Sequence, residues 1–430
     1  MIAVLLSFMA SPAAAVTLDE VWAAADENSI DLQLVHEQRV QGDTLRTQAL
    51  SLLSPKLVLG AHYTINQRET TLDFAGSIPE ELLALMGDVD LGEPIVVNMK
   101  QYYDWNASVI QPLFNGQAIP LYKGAVDTVQ AGRHTERAIR AQVRVGVAQA
   151  FWGVIVAREG EKVATRALEN ARQHLRIAET TVEVGTAAPA VRLQAQLGVA
   201  RAERQVAVAH EQVVAAQGAF SRLTGLAEDV VVEPPPLRVV TYPDADAAVA
   251  RAIEQRPDIR AATLQVSAGR AQAVASHLAW LPSVDARFTE SYSQNSGFSG
   301  EPYNWQLVFT GDWVLWDGGA RVAQEAKAAS MDRAARLQVE GLQQKATESI
   351  RTLWEEHTRA RIAVEAVDKE VGLAEENLRL ADAAFAAGAL SFLEVEDARL
   401  GLAASQMTKL TETMNRDLTA IRLLEATGDL

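Results

Sequence analysis

The sequence predicts a mainly α-helical fold with a small β part, built from two copies of a helix–strand–strand–helix unit. Three observations lead to this prediction. The 430-residue chain resembles itself at a spacing of about 200 residues, each half holds two short segments of alternating polar and apolar residues, and each half ends in very long helical segments. We therefore treat the chain as a duplicated structure in which each element occurs twice.

The internal repeat is clearest where short motifs recur. Pro55 and Pro282 match at a spacing of 227 residues. The spacing is 202 residues for Phe114 and Trp316 and for Trp152 and Trp354, and it is 203 for Gly185 and Gly388. Because the spacing is larger at the first pair, the first half carries an insertion, which we place in a long loop around Asp73 to Pro94.

These spacings predict four segments along the chain. A signal peptide covers residues 1–15, the first repeat 16–232, a proline-rich linker 233–243, and the second repeat 244–430. The signal peptide is predicted from a short apolar run followed by an Ala-Ala-Ala cleavage pattern that ends at Ala15. The pattern departs from a typical signal peptide in one respect, because no Lys or Arg follows Met1 directly.

Helical periodicity defines two kinds of helix. Each repeat begins with a helical region, Thr17 to Ser54 and Asp246 to Leu281, the second interrupted at Pro257. Each then contains a long helix, Ala118 to Glu183 and Ala320 to Ala387, with coiled-coil-like apolar spacing. Alternation of alanine with a larger apolar residue along these helices lets neighbouring helices approach closely.

Four strands are predicted, at about 56–66, 101–114, 283–293 and 303–316. Their alternation suits strands with one apolar face, and their length is about the 9–11 residues that a tilted strand needs to cross a membrane. Aromatic residues lie near the strand ends, namely Tyr102, Tyr103, Trp105, Tyr303, Trp305, Trp313 and Trp316. Four strands cannot close a membrane barrel, so several chains must share one, and three chains give twelve strands. A four-stranded soluble sheet packed on helices is the open alternative.

Composition and charge exclude several function classes. The chain has a formal charge of -16 and no Cys, which argues against nucleic-acid binding, disulfides, thiol catalysis and cysteine metal sites. The seven His are scattered without the spacing of metal ligands, and no glycine-rich phosphate loop is present. We expect no catalytic residue, no metal and no cofactor, and therefore no enzyme.

Several motifs resemble those of the TolC-type outer-membrane efflux factors, and the resemblance covers about Thr17 to Gly428. The matching motifs are Gln111-Pro112-Leu113-Phe114-Asn115-Gly116, Arg256-Pro257-Asp258-Ile259-Arg260-Ala261-Ala262, Leu281-Pro282-Ser283, Trp316-Asp317-Gly318-Gly319, and the glycine turns at Gly185 and Gly388. The resemblance implies a homotrimer in which a twelve-stranded transmembrane β-barrel, with four strands from each chain, continues into a trimeric α-barrel that spans the periplasm. Its implied partners are a periplasmic adaptor protein, an inner-membrane transporter and outer-membrane lipid.

The resemblance also points to two groups of site residues. The helix-connecting turns would contact the adaptor through Val184, Gly185, Thr186, Ala387, Gly388 and Ala389. Glu394 and Asp397 follow the second turn by six and nine residues, as the entrance carboxylates of the family do, and threefold symmetry would make them two acidic rings at the channel aperture. The favourable interaction of acidic residues with a helix N-terminus is the simpler explanation.

One departure from the family concerns the resting entrance. Family members with a latched entrance carry Tyr, Arg and Asp where this chain has Phe385, Leu390 and Val191, so the resemblance does not extend to that latch. The sequence thus predicts an outer-membrane exit duct of a tripartite efflux system, gated at the periplasmic tip. The alternatives are the outer-membrane component of type I protein secretion and a soluble periplasmic coiled-coil scaffold.

Overall fold

The structure, a computed structural model, describes most of the chain after the predicted signal peptide. It covers residues 16–73, 78, 79, 82, 85, 94–186, 188–296, 301–387 and 389–430. The predicted signal peptide, 1–15, and part of the predicted long loop lie outside the described residues. The chain divides into two compact units, one comprising Met1–Val40, Gln130–Thr263 and Leu337–Leu430, the other Gln41–Val129 and Leu264–Arg336.

Elements follow the chain in the duplicated order that the sequence predicts. The helices are α1 (Leu18–Asn28), α2 (Ile30–Leu50), α3 (Ala118–Glu183), α4 (Pro189–Thr224), α5 (Ala245–Gln255), α6 (Pro257–Leu278), α7 (Ala320–Ala386) and α8 (Phe392–Thr427). The strands are β1 (Lys56–Ile65), β2 (Thr70–Leu72), β3 (Ile95–Asn98), β4 (Gln101–Phe114), β5 (Ser283–Ser293) and β6 (Tyr303–Asp312). The mainly helical fold with a small β part is confirmed.

In the first unit, corresponding helices of the two repeats pack in corresponding ways. Val21 and Ala25 of α1 are buried in a cluster with Phe151 of α3 and Phe220 of α4. In the second repeat, Ala248 and Ala252 of α5 lie with Ile350 of α7 and Leu423 of α8. Each of these two α5 alanines lies 227 residues after its α1 counterpart, so the repeat seen in the sequence is also a repeat of packing.

In the second unit, the four main strands form one antiparallel sheet in the order β1-β4-β5-β6. The hairpin of the first repeat and that of the second therefore lie side by side, joined by β4 and β5, rather than as two separate pairs. A small additional ladder, which the sequence did not predict, pairs β2 with β3 on either side of the insertion of the first repeat. β1 and β6 are the outer strands of the four-stranded sheet.

Some predicted boundaries differ from those of the structure. The first helical region is two helices, because Ser29 leaves the helical conformation and α2 begins at Ile30. The second strand of the second repeat ends at Asp312 instead of 316, because its partner β5 begins at Ser283, just after Pro282, and offers no earlier residue for pairing. The first strand ends at Ile65 rather than 66, and α7 ends at Ala386 rather than 387.

Candidate functional site

The start of α8 holds the acidic residues that the sequence analysis placed at an aperture. Ser391 is the N-cap, and its hydroxyl accepts the backbone N–H of Glu394 at 3.4 Å. The Glu394 carboxylate accepts the Ser391 backbone N–H at 2.7 Å and its hydroxyl at 2.9 Å. These reciprocal bonds form a capping box, which satisfies backbone donors at the exposed helix start.

The capping box also fixes the charge of Glu394. The hydrogen bond from the Ser391 backbone, followed by the one from its hydroxyl, lowers the pKa of Glu394 below its ordinary value. The side chain is exposed and ionised near neutral pH. The carboxylate therefore caps its own helix and contributes a negative charge there at the same time.

Asp397 lies one turn further along α8 and is also exposed. It lines a groove of about 540 Å³ between α8 and the α3–α4 pair. The groove is largely apolar; its lining residues include Leu393 and Leu400 of α8, Ile177 of α3 and Val191 of α4, with His174 as the other ionisable group. The structure thus brings Asp397 beside a predominantly apolar surface, whereas Glu394 stays at the helix end.

A third acidic residue of this turn was missed by the sequence analysis. Glu396 is only 4% exposed, and its carboxylate accepts Nη1 of Arg399 at 2.8 Å. Nη2 of Arg399 reaches Asp382 on α7 at 3.3 Å, which links the two helices. The spacing of three between Glu396 and Arg399 is a sequence signal for such a pair, although it does not show which acidic residue is buried.

The first helix-connecting turn has a complete Schellman motif. Gly185 adopts φ +81°, its N–H donates to the Val182 carbonyl at 3.1 Å, and the Thr186 N–H donates to the Thr181 carbonyl at 3.0 Å. Val184 remains 72% exposed at this turn. The turn is therefore rigidly defined by its backbone and presents an apolar side chain to solvent.

The second turn is similar where it is described. The Ala387 N–H donates to the Ala383 carbonyl at 3.1 Å and the Ala389 N–H to the Ala384 carbonyl at 2.9 Å. Gly388, the other predicted contact residue, lies outside the described residues. Leu390 packs with the buried cluster around Val395, so a residue predicted to lack the family's latching charge contributes instead to the core between α7 and α8.

The four-stranded sheet has one strongly apolar face. Because directly paired residues of adjacent strands share a face, the register fixes its members. They are Leu57, Leu59, Ala61, Tyr63 and Ile65 of β1; Tyr103, Trp105, Ala107 and Val109 of β4; Val284, Ala286, Phe288 and Tyr292 of β5; and Tyr303, Trp305, Leu307 and Phe309 of β6. Leu59 is 74% and Phe309 66% exposed. Glu290, Gln101 and Gln111 are the polar exceptions on this face.

The opposite face of the same sheet is mainly polar. Its members include His62, Thr64, Asp104, Asn106, Asp285, Arg287, Ser291, Asn304, Gln306 and Thr310. The hydroxyls of Ser108 and Thr289 are buried there and lie 3.0 Å apart across the β4–β5 junction. A sheet whose apolar face is exposed is the reverse of a sheet packed on a soluble core, in which the apolar face is buried.

Aromatic rings gather at both ends of the apolar face. At the loop end, Tyr292 stacks on Tyr103 at 5.7 Å and contacts Tyr303 at 5.0 Å between ring centroids. At the other end, the Trp313 indole donates to the Trp280 carbonyl at 3.0 Å, and Trp316 is 77% exposed. Two aromatic belts therefore border the apolar surface.

The described residues contain neither a membrane-spanning helix nor a metal-binding cluster. Within them, no helix is both long and apolar enough to cross a bilayer. The same part of the chain contains no group of three or more His, Asp or Glu side chains arranged to hold a metal ion.

Comparison with known proteins gives matches over almost the whole chain. The profile of the family described as "Outer membrane efflux protein" matches residues 23–226 and 248–429. The pyoverdine export outer membrane protein OpmQ of Pseudomonas aeruginosa is 22% identical over 317 residues, which cover 71% of this chain and 65% of OpmQ. The chain thus spans just under two thirds of that relative.

Solved structures share the fold. The Campylobacter jejuni CmeC outer membrane channel matches with a TM-score of 0.76 and 16% identity, covering 99% of this chain and 90% of CmeC. The Vibrio cholerae outer membrane protein VceC matches with a TM-score of 0.73 and 18% identity, covering 96% of each chain. At these identities the similarity establishes the fold.

Proposed function

The chain belongs to the outer membrane efflux protein family and is an outer-membrane protein that extends into the periplasm; on that premise we propose that it is the exit duct of a tripartite efflux system. In this role it carries out no chemistry and conducts substrates from an inner-membrane pump and a periplasmic adaptor to the outside. The observation that carries the proposal is the exposed apolar face of the four-stranded sheet.

The dimensions of that face suit a bilayer. The ten residue pairs between β5 and β6 extend about 34 Å at ~3.4 Å per residue, and a tilt of about 45° reduces this to about 25 Å across the membrane. This is the height of the apolar band of outer-membrane barrels, which aromatic belts border on both sides. The polar face then lines the aqueous interior.

A homotrimer supplies the strands that one chain lacks. Four strands cannot close a barrel, and an open edge in lipid leaves backbone groups unsatisfied, whereas three chains provide twelve strands. Apolar side chains exposed on α7 support the same conclusion for the helical part, since Leu337, Ile362 and Leu373 are each more than half exposed. A second copy of the chain would cover them.

The helical tip supports a gated entrance with negative charge. In a trimer, Glu394 and Asp397 would each occur three times around the axis and would favour cations at a constriction. Phe385, Leu390 and Val191 have neither charged nor hydroxyl groups, so the entrance is held by apolar packing rather than by a polar latch. Opening then requires α7 and α8 to move away from the axis.

Adaptor contact is assigned to the two helix-connecting turns. The exposed Val184 beside Gly185 and Thr186 offers an apolar contact on a backbone that is already fixed by its Schellman motif, which lowers the entropy lost on binding. Ala387, Gly388 and Ala389 form the corresponding contact in the second repeat. Six such turns would surround the entrance of a trimer.

The test is the membrane location and conductance of the full chain. We expect the protein in the outer-membrane fraction as a trimer that migrates differently on gels before and after heating, and we expect the purified trimer to open ion-conducting pores in planar bilayers. A monomer in the soluble periplasm would overturn the proposal and favour the scaffold. A trimer in the outer membrane that conducts no ions under any voltage or salt condition would contradict the duct.

A further inference from the structure

The two hairpins of the sheet are copies with the same register. Leu57 lies opposite Val109 in the first hairpin, and Val284 lies opposite Gly311 in the second. The first strand of the second hairpin thus lies 227 residues after the first strand of the first hairpin. The second strands are 202 residues apart, and both spacings are those of the sequence repeat. All ten pairs of the first hairpin map onto the ten pairs of the second in this way.

The junction between the hairpins shows how one copy accepts the next. β4, the second strand of the first hairpin, pairs along its free edge with β5, the first strand of the second hairpin. Val109 lies opposite Phe288 and Gln111 opposite Ala286, and the pairing continues to Phe114. β6 is the copy of β4, and β1 is the copy of β5. The free edge of β6 therefore corresponds to the edge of β4 that pairs with β5, and the free edge of β1 corresponds to the edge of β5 that pairs with β4.

We propose that in the trimer, and therefore resting on the function proposed above, β6 pairs with β1 of the partner subunit in the register of the β4–β5 junction. Applying the two offsets to that junction places Gly311 opposite Ala61 of the partner subunit. It places Phe309 opposite the partner's Tyr63 and Trp313 opposite the partner's Leu59. The chain's own internal junction thereby specifies the contact between subunits residue by residue.

The chemistry of the paired side chains is consistent with this register. On the lipid-facing side, Leu307 and Phe309 meet Ile65 and Tyr63 of the partner subunit, so apolar residues meet apolar residues. On the interior side, Thr310 meets the partner's His62 and takes the place that the Ser108–Thr289 hydroxyl pair has within the chain. A slip of one residue would bring apolar side chains onto the polar face.

The register also explains an exposed apolar segment after β6. Trp313, Val314, Leu315 and Trp316 are all more than half exposed and lie outside any strand. Their equivalents in the first repeat, Gln111–Phe114, belong to β4 because β5 gives them a partner. In the trimer, β1 of the partner subunit provides that partner, so β6 lengthens to residue 316 and the four side chains gain neighbours.

Disulfide crosslinking tests the register directly, because the chain contains no Cys. Two double variants place cysteines at pairs that the register sets opposite each other, Thr310→Cys with His62→Cys and Gly311→Cys with Ala61→Cys. Consecutive antiparallel pairs alternate between wide and narrow spacing, so one of the two has Cα atoms about 4.5 Å apart, within disulfide range. Gly311 has open space for a side chain.

The matched control shifts the register by two residues, which keeps every side chain on its face. It combines Thr310→Cys with Thr64→Cys. After copper-phenanthroline oxidation of outer-membrane fractions, we expect covalent dimers and trimers on non-reducing gels from at least one in-register variant. Their yield should exceed that of the control by about tenfold or more.

Failure of the register and failure of the proposed function give different results. If intact trimers crosslink best in the shifted variant, or in none of the variants, the register is overturned while the duct stands. If the cysteine variants and the unmodified chain alike form no trimer in the outer membrane, the proposed function fails first. Native gel migration of the unoxidised samples separates these cases and also detects a variant that does not fold.

Discussion

The indole N–H of Trp152 donates to the carboxylate of Asp417 across 2.8 Å in the buried core of the first unit. Asp417 is 1% exposed, and its other carboxylate oxygen accepts the backbone N–H of Arg238 at 3.0 Å. The carboxylate thus joins α3, α8 and the segment between the repeats. Because buried polar groups lose stability when they lose partners, this contact ties together three parts of the chain.

Replacing Trp152 should therefore destabilise the fold more than replacing its repeat counterpart. Trp152→Phe leaves one oxygen of Asp417 without its donor, and we expect a loss of about 1–3 kcal/mol in the free energy of unfolding beyond the loss in packing. Trp354→Phe is the control, since Trp354 is half-buried at the matching position. Thermal unfolding of detergent-solubilised protein, followed by circular dichroism, measures both; equal losses would contradict the prediction.

The bounds of the longest helices could be predicted from the sequence because local signals mark them. α3 runs from Ala118 to Glu183, as predicted. The turn Asn115-Gly116 precedes it and Gly185 follows it. The break at Ser29 lies beside a tertiary contact. The Asn28 side chain donates to the Ala24 carbonyl and to the Thr224 carbonyl of α4, a residue 196 positions away. No local pattern contains that contact.

The place of the two candidate carboxylates near a helix start could be predicted from the sequence, but their local geometry could not. The sequence placed Glu394 and Asp397 on one face near a helix start, and the structure places both on the exposed surface of α8. Whether a carboxylate caps its helix or faces a groove depends on side-chain conformation, which periodicity does not determine. The burial of Glu396 depends on α7 packing against α8, since Asp382 shares its arginine partner.

Neutralising the two carboxylates that we propose for the aperture should change ion selectivity without loss of folding. Glu394→Gln keeps an acceptor for the capping box, because glutamine is also accepted at that position. In a trimer, Glu394→Gln combined with Asp397→Asn removes six negative charges from the entrance, and we expect the cation-to-anion permeability ratio to fall by about twofold or more. Reversal potentials in a salt gradient across planar bilayers measure this ratio.

The control for that experiment combines Asp246→Asn with Asp19→Asn, which also removes six charges from a trimer, at the exposed starts of α5 and α1. It should leave the permeability ratio unchanged. If the control and the aperture variant shift the ratio equally, the effect comes from the overall charge of the protein and not from the entrance. An unchanged ratio in the aperture variant would show that these carboxylates do not face the conducting path.

Acidification should weaken the packing of α7 against α8 at His357. Burial lowers the pKa of His357 below its ordinary value, and the charges of Arg361 and Arg416 act in the same direction, while a hydrogen bond to the Arg416 backbone opposes them. As pH falls, the unfolded chain binds the proton first. Stability is therefore full above the ordinary histidine pKa of about 6.5 and is lost as pH falls through the lower folded-state value.

Substitution of His357 tests this pH dependence. His357→Gln cannot take up the proton and should show a smaller fall in unfolding temperature between pH 7.5 and pH 5 than the unmodified protein. Carboxylates that titrate in the same range contribute equally to both proteins, so the difference between the two slopes isolates His357. Identical slopes would mean that the folded protein accommodates the charged imidazole without cost.

A charge at the first helix-connecting turn should impair efflux without affecting assembly. Val184→Asp puts a carboxylate on the apolar contact proposed for the adaptor, and desolvating it there would weaken binding. We expect cells with this variant to accumulate pump substrate while trimer levels in the outer membrane stay normal. Val239→Asp, a change at a similarly exposed valine between the repeats, is the control. Normal efflux with Val184→Asp would remove this turn from the contact surface.

Substitutions at two neighbouring residues of β6 distinguish a sheet that lies in the membrane from a soluble sheet. Leu307 and Gln306 are both exposed and lie on opposite faces, the first apolar and the second polar. An arginine on the lipid-facing side of a barrel costs about 2–4 kcal/mol near the middle of the bilayer, whereas one facing the aqueous interior remains hydrated. Leu307→Arg should therefore reduce the amount of heat-modifiable trimer in the outer membrane severalfold, and Gln306→Arg should not.

Because both substitutions are on the same outer strand, disturbance of pairing between subunits affects them similarly. A soluble sheet exposes both positions to water and would tolerate both, so equal trimer levels would contradict the assignment of the apolar face to lipid.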